Sequence, residues 1–256
     1  METKSININR EYLYYLYKAE KSKWFFIEAL ANRTNNYKSV KILNSDNVLI
    51  WLEDLTIDDN TIQGYGSEDH QLMRVEIKDI VDWMIVDNNK LIGGYTIRYY
   101  RQTLNDDDRT NFDIEFGLKI DDGNDFFYPD FSTPEGVIIQ LEMAYNAKSI
   151  EGILECKDLI MEAKNVLNYT NYEISDDLLS ETADLLKTSI IENINHYGFP
   201  EFTDVERSFT LLDVKDSGKQ KLISEKLIFS DGTSKTNRFW VGLNKNDEWK
   251  VLDLVE

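Results

Sequence analysis

Few residues in this chain have the type and spacing to do chemistry. The 256 residues include two histidines, His70 and His196, and one cysteine, Cys156. Zinc sites need such ligands at short spacing, and no two of these share a motif, so no metal is expected. The run Asp106-Asp107-Asp108 lacks the spaced ligands and the glycine turn of a calcium loop. A phosphate loop needs glycines and a lysine where a helix begins. Gly93-Gly94 instead falls inside an expected strand, where it reads as a bulge or a close backbone approach. No Gly-x-Ser-x-Gly elbow occurs, and Cys156 follows Ile153 and Leu154, which favours packing over nucleophilic attack. No catalytic residue and no cofactor is therefore assigned, and catalysis of a familiar kind is not expected. Trp51 and Trp83 have apolar strand neighbours and read as core. Arg98 either pairs with Asp82 or Asp79 or holds an anionic ligand, and the pairing is preferred.

The elements that would position these residues follow from periodicity and turn chemistry. Residues 10–31 read as one helix, with Leu13, Leu16, Tyr17, Phe26, Ile27 and Leu30 near helical spacing. Strands are expected at 38–43, 48–55, 61–66, 72–77, 81–86 and 91–100. Leu104 to Glu115 reads as a helix capped by Asn105, whose three following aspartates complement the positive helix start. Residues 121–127 are polar and glycine-bearing and read as a linker between domains at 1–120 and 128–256. Beyond it, Ser132-Thr133-Pro134-Glu135 marks a helix start, with Ser132 as the cap. Ile138, Leu141 and Tyr145 share a face of that helix. Ser149 caps a short helix, 159–167 continues helical, and Ser175 opens the longest helix, which stops at Gly198. Strands at 208–214, 221–230, 238–243 and 249–255 close the chain. The expected class is α+β in two domains: a bent antiparallel sheet with flanking helices, then helices on a curved antiparallel sheet.

Two stretches carry resemblances. Asp82-Trp83-Met84, a short turn, and Gly93-Gly94-Tyr95-Thr96-Ile97-Arg98 resemble the signature of the bacterial family called domain of unknown function 2314. Segments 38–42, 49–55 and 104–113 are similar to it in the same order, so the resemblance spans about residues 10–120. It identifies a domain without supplying a reaction. Its signature residues here are Trp51, Asp82, Trp83, Gly93, Gly94, Thr96 and Arg98, read as structural. Residues 128–256, by the order of their helices and hairpins, look like the nuclear transport factor two-like fold, a cystatin-like cone of sheet around helices. That resemblance implies a pocket, which Tyr145, Tyr169, Tyr172, His196, Tyr197 and Trp240 are available to line. A small-molecule-binding or isomerase-like site there is the alternative to a non-catalytic role.

Charge bears on partners. Net charge is −19. Residues 1–120 hold 20 acidic and 15 basic side chains, and residues 121–256 hold 27 and 13. So acidic a surface repels phosphate backbones, which disfavours nucleic acid and suits a basic protein partner or simple solubility. The lone cysteine, the polar start and the lack of a long apolar run point to a cytoplasmic bacterial protein with no membrane contact. An immunity-type or accessory role is expected, with Tyr99, Tyr100 or Trp240 as exposed aromatic anchors.

Overall fold

Most helices of this chain open on a side chain that accepts a first-turn N–H. The caps are Asn9, Asn105, Thr133, Ser149, Asp158 and Ser175. The structure, a computed structural model, describes residues 9–32, 36–120, 123–168 and 173–254. The chain divides into two compact units, Met1–Phe126 and Phe127–Glu256.

The first unit starts with α1 (Arg10–Lys21) and α2 (Lys23–Ala31). These are two helices where one was expected. The break is at Ser22, whose buried hydroxyl donates to the Lys18 carbonyl at 2.6 Å and lies 3.2 Å from the Tyr95 hydroxyl, within hydrogen-bond distance. The buried positions of this pair include Tyr12, Ala19, Phe26 and Leu30, whereas Leu13 is 54% exposed. A six-stranded antiparallel sheet follows, in the order β4-β3-β2-β1-β5-β6. Its strands are β1 (Tyr37–Leu43), β2 (Leu49–Asp58), β3 (Thr61–Gly66), β4 (Leu72–Glu76), β5 (Asp82–Asp87) and β6 (Lys90–Gly93). Val40, Ile42, Leu52, Trp83 and Ile85 form one core with Ala19, Phe26 and Leu30 of the helices. The unit ends with α3 (Tyr95–Thr103) and α4 (Asp106–Phe116), the latter capped by Asn105 and closed by left-handed Gly117.

The main departure from expectation is α3. Tyr95-Thr96-Ile97 and Tyr99-Tyr100 favour strands, and the sequence reads on from β6 as one strand. Gly93 and Gly94 instead take left-handed φ of 69° and 63°, which turns the chain out of the sheet. The glycine pair is thus a strand-to-helix junction, not a bulge. Of the expected linker 121–127, Asp125 pairs with Lys18 at 2.7 Å, and Phe126 stacks on Phe25 with centroids 3.7 Å apart. Both belong to the packing of the first unit.

The second unit holds α5 (Pro134–Asn146), α6 (Ile150–Glu155), α7 (Leu159–Leu167) and α8 (Asp176–Tyr197). They are followed by the antiparallel meander β7 (Glu206–Lys215), β8 (Gln220–Ile228), β9 (Ser234–Leu243) and β10 (Trp249–Leu254). The cap of α5 is Thr133, which accepts from the Gly136 N–H, while Ser132 turns back onto Asp130. Ile138, Ile153, Phe209, Ile223, Leu227, Val241 and Leu252 are all buried. The protein is therefore α+β with two separate sheets.

A Cβ on Gly93 would stand 2.6 Å from the ring of fully buried Trp83, whereas one on Gly117 meets nothing within 4 Å. Gly93→Ala is expected to cost the first unit roughly 2–4 kcal/mol, from left-handed strain plus overpacking. Gly117→Ala should cost about 1 kcal/mol, from strain alone. Urea unfolding of the two variants checks this, and equal costs would refute the junction's tight packing.

Candidate functional site

Backbone register assembles a polar centre in the first unit. Lys41 of β1 pairs with Trp51 of β2 on one side and Asp82 of β5 on the other. Cross-strand partners share a face, so these three side chains stand in a row across the sheet. Asp82 is fully buried and accepts four hydrogen bonds. Its Oδ1 takes the N–H of Trp83 at 2.8 Å and of Tyr95 at 3.1 Å. Its Oδ2 takes the N–H and the hydroxyl of Thr96, each at 2.7 Å. Lys41 Nζ donates to Thr96 Oγ1 at 2.9 Å and lies 5.2 Å from the Trp51 ring centroid. A proton-donor chain thus runs from lysine through threonine to carboxylate.

The reason for this arrangement lies at the start of α3. A helix leaves its first N–H groups unsatisfied and carries partial positive charge there. Gly94 is the residue before α3 and has no side chain to offer as a cap. Asp82, brought close by the β5–β6 hairpin, supplies the carboxylate instead. Burial pushes the Asp82 carboxyl up, and the Thr96 and Trp83 hydrogen bonds with the Lys41 charge pull it back. Burial also lowers Lys41, against the pull of Asp82. Desolvation favours neutral forms of both, yet all four Asp82 contacts are donors, so the ionised carboxylate is the form this geometry satisfies. The place where a helix start would bind a ligand's anion is filled by the chain itself.

The other signature residues are also spent on structure. Trp83 is fully buried and donates its indole N–H to the Ala19 carbonyl at 3.1 Å. The guanidinium of Arg98, expected against Asp82 or Asp79, donates to the carbonyls of Gly93 at 2.7 Å and Leu91 at 2.6 Å. It thereby ties α3 back to β6. Trp51 is half-buried, not core, and lies on the sheet face opposite α1 and α2. That face also carries Tyr37, Leu43, Tyr65 and Leu72, which are between 42% and 54% exposed. Tyr37 donates to Glu53 at 3.1 Å, Glu53 pairs with Tyr65, and Tyr65 pairs with Leu72, so Glu53 links Tyr37 to the other two.

Among the described residues, the candidates for a pocket in the second unit are placed as follows. Tyr145 lies near Phe202, with ring centroids 6.1 Å apart. Trp240 lies under Lys215, whose Nζ is 4.1 Å from the ring. His196 packs edge-on against Tyr197, which is 80% exposed. A surface hollow there is lined by Glu192, Asn193, Asn195, His196 and Tyr197, all from the end of α8. Tyr169 and Tyr172 lie outside the described residues. Of the expected anchors, Tyr99 is buried and Tyr100 is 47% exposed. Burial holds the Cys156 thiol up at about 12, so no thiolate forms at neutral pH. Among the described residues, no group of three or more His, Cys, Asp and Glu is placed to hold a metal ion.

Sequence reasoning missed a second polar centre. Glu142 of α5 and Glu225 of β8 are buried together beside Arg207 of β7 and Asn237 of β9. The signal was present as alternation. Arg207 is two residues from Phe209, Glu225 lies between Ile223 and Leu227, and Asn237 is two from Phe239. Each polar residue thus occupies a core-facing position of its strand.

Comparison with known proteins locates the first unit. Residues 16–120 match the family described as "Uncharacterized protein conserved in bacteria (DUF2314)". A putative ankyrin repeat protein of Neisseria meningitidis serogroup B is 26% identical over 128 residues, 46% of this chain and 46% of that protein. The chain thus spans just under half the length of that relative. A phospholipid-binding protein from Ralstonia solanacearum, solved with a phospholipid, aligns over 49% of this chain and 76% of its own at 9% identity and a TM-score of 0.34. The helical cell shape determining protein Pgp2 from Campylobacter jejuni aligns over 92% of this chain and all of its own at 10% identity and a TM-score of 0.29. Neither likeness is near enough to define a fold.

Asp82→Ala removes the acceptor of four buried donors and leaves Lys41 without its counter-charge. It is expected to cost the first unit about 3–5 kcal/mol, the usual result of breaking a buried charged network on one side. Asp82→Asn, which keeps one acceptor oxygen, should cost less. Denaturant midpoints of both variants test this, and a near-neutral Asp82→Ala would contradict it.

Proposed function

We propose that this chain is a non-catalytic binding protein of the bacterial cytoplasm, immunity-type or accessory, whose partner is a basic protein. The observation that carries the reading is the open sheet face of the first unit. Tyr37, Tyr65, Leu43 and Leu72 form an exposed aromatic and aliphatic patch beside half-buried Trp51, with the polar signature residues committed to the fold beneath its edge. Exposed apolar patches of this kind mark interaction surfaces, and tyrosine and tryptophan are the usual anchors. A net charge of −19 would speed the approach of a basic partner and make association salt-dependent. In this reading the second unit is a nuclear transport factor two-like cone, supported by its four helices followed by a four-stranded meander.

A second reading has one observation in its favour. Glu142 is a buried carboxyl pushed up to about 8, as a general acid in a small-molecule or isomerase-like site would be. It needs a cavity that reaches Glu142.

The test is capture on the immobilised chain from a lysate of the encoding bacterium, at low and at high salt. A basic protein should be retained at low salt and released at high salt. Tyr65→Ala and Leu72→Ala should each weaken its binding about tenfold or more without lowering the melting temperature appreciably. Retention of no protein, with a small metabolite co-purifying on the second unit, would overturn the reading in favour of the alternative.

A further inference from the structure

The pair Glu142 and Glu225 has more negative charge than its surroundings neutralise. Both side chains are buried in the contact between α5 and the sheet. The positive charge facing them is Arg207, whose Nη2 lies 2.8 Å from Glu142 Oε2 and whose Nε lies 3.8 Å from Glu225 Oε1. The Asn237 amide donates to Glu225 Oε2 at 3.3 Å. Of the other charged groups on the packed elements, buried Glu135 of α5 acts on Lys221 of β8. Lys250 of β10 donates to the Glu155 carbonyl and pairs with Glu248, and Lys221 of β8 lies over Trp249. Among the described residues, neither oxygen of Glu142 nor Oε1 of Glu225 receives a protein donor in hydrogen-bond geometry. Two ionised carboxylates with one guanidinium would leave a net negative charge in a buried place, which is unfavourable.

We infer that Glu142 and Glu225 hold one proton between them in the folded second unit, forming a proton-binding site that fastens α5 to the sheet. The proton sits on Glu142 and is donated to Glu225, which gives Glu225 Oε1 a donor and brings the cluster with Arg207 to neutrality. Burial first, and then the Glu225 charge, raise Glu142, while Arg207 opposes them. Burial raises Glu225 as well, against Asn237 and Arg207. When the proton leaves, the two carboxylates repel across the α5–β8 contact. The second unit therefore loosens at alkaline pH by a route that the first unit does not share.

The sign follows from linkage. The Glu142 carboxyl moves from its ordinary 4.5 to about 8 on folding, so the folded state binds more protons between those values. Stability from this group is full below the lower value and is lost as pH rises towards the upper one, at about tenfold in the folded-to-unfolded ratio per pH unit. The experiment is carbon-13 NMR of the full chain labelled at the glutamate side-chain carboxyls, titrated from acid through neutral to alkaline pH. One carboxyl should titrate near 8 and be absent from Glu142→Gln. Glu225→Gln should move that titration downwards, and it serves if Glu142→Gln does not fold. Urea unfolding of the second unit should show the pH slope in the native chain and lose it in Glu142→Gln. If every glutamate titrates in the ordinary carboxylate range, or if the difference between native chain and variant does not change with pH, the shared proton is refuted.

Discussion

The carboxylate of Asp82 at the start of α3 is the interaction on which the first unit depends. It lies in a fully buried place and is tolerated because three backbone N–H groups and the Thr96 hydroxyl converge on it. The dependence runs both ways. Without the helix start, Asp82 would be an unpaired buried charge, and without Asp82 a helix of strand-favouring residues would begin with no cap. The glycine pair lets the chain turn sharply enough for the two to meet, and Trp83 closes against that turn. Arg98 then fixes the far side of the junction through the carbonyls of Gly93 and Leu91. The residues that carry the resemblance in the first unit, Asp82, Trp83, Gly93, Gly94, Thr96 and Arg98, are on this geometry a folding device.

The second unit solves a similar problem differently. Its buried carboxyls meet across a helix–sheet contact, with a guanidinium and an amide but no helix start to satisfy them. Asp82 has a donor for each of its lone pairs, whereas Glu142 and Glu225 do not. The first arrangement favours the ionised form, and the second favours retention of a proton. Burial raises the carboxyls in both units, and what differs is the number of donors that oppose it.

Much of this was legible in the sequence where the determining interaction is local. Asn105, Ser149 and Ser175 cap the helices they were expected to cap, because an N-cap bond reaches only three residues along the chain. The four strands of the second sheet follow from alternation and turn residues. All but one of the failures are non-local. Ser132 and Thr133 are equally good caps by type, and only the turn onto Asp130 decides between them. Ser22 breaks the first helix through a contact with Tyr95, 73 residues away. Helix α3 was unreadable because its cap comes from Asp82, on a different strand, and because tyrosine, threonine and isoleucine argued for sheet. Tyr145, His196 and Trp240 are all aromatic and available, but no local rule brings them to one place, and each packs against a different residue. Glu142 and Glu225 could have been noticed as charges on apolar faces, but their partnership is tertiary.

The central claim is that the junction's anion position is occupied by the chain's own carboxylate and is closed to ligands. The backbone amides of Tyr95 and Thr96 report on it directly, since both donate to Asp82. In a nitrogen-15 NMR titration with inorganic phosphate, the account predicts that these two amides stay in place and remain strongly protected from hydrogen exchange. A saturable shift of either resonance on adding phosphate, or exchange as fast as that of exposed loop amides, would contradict it.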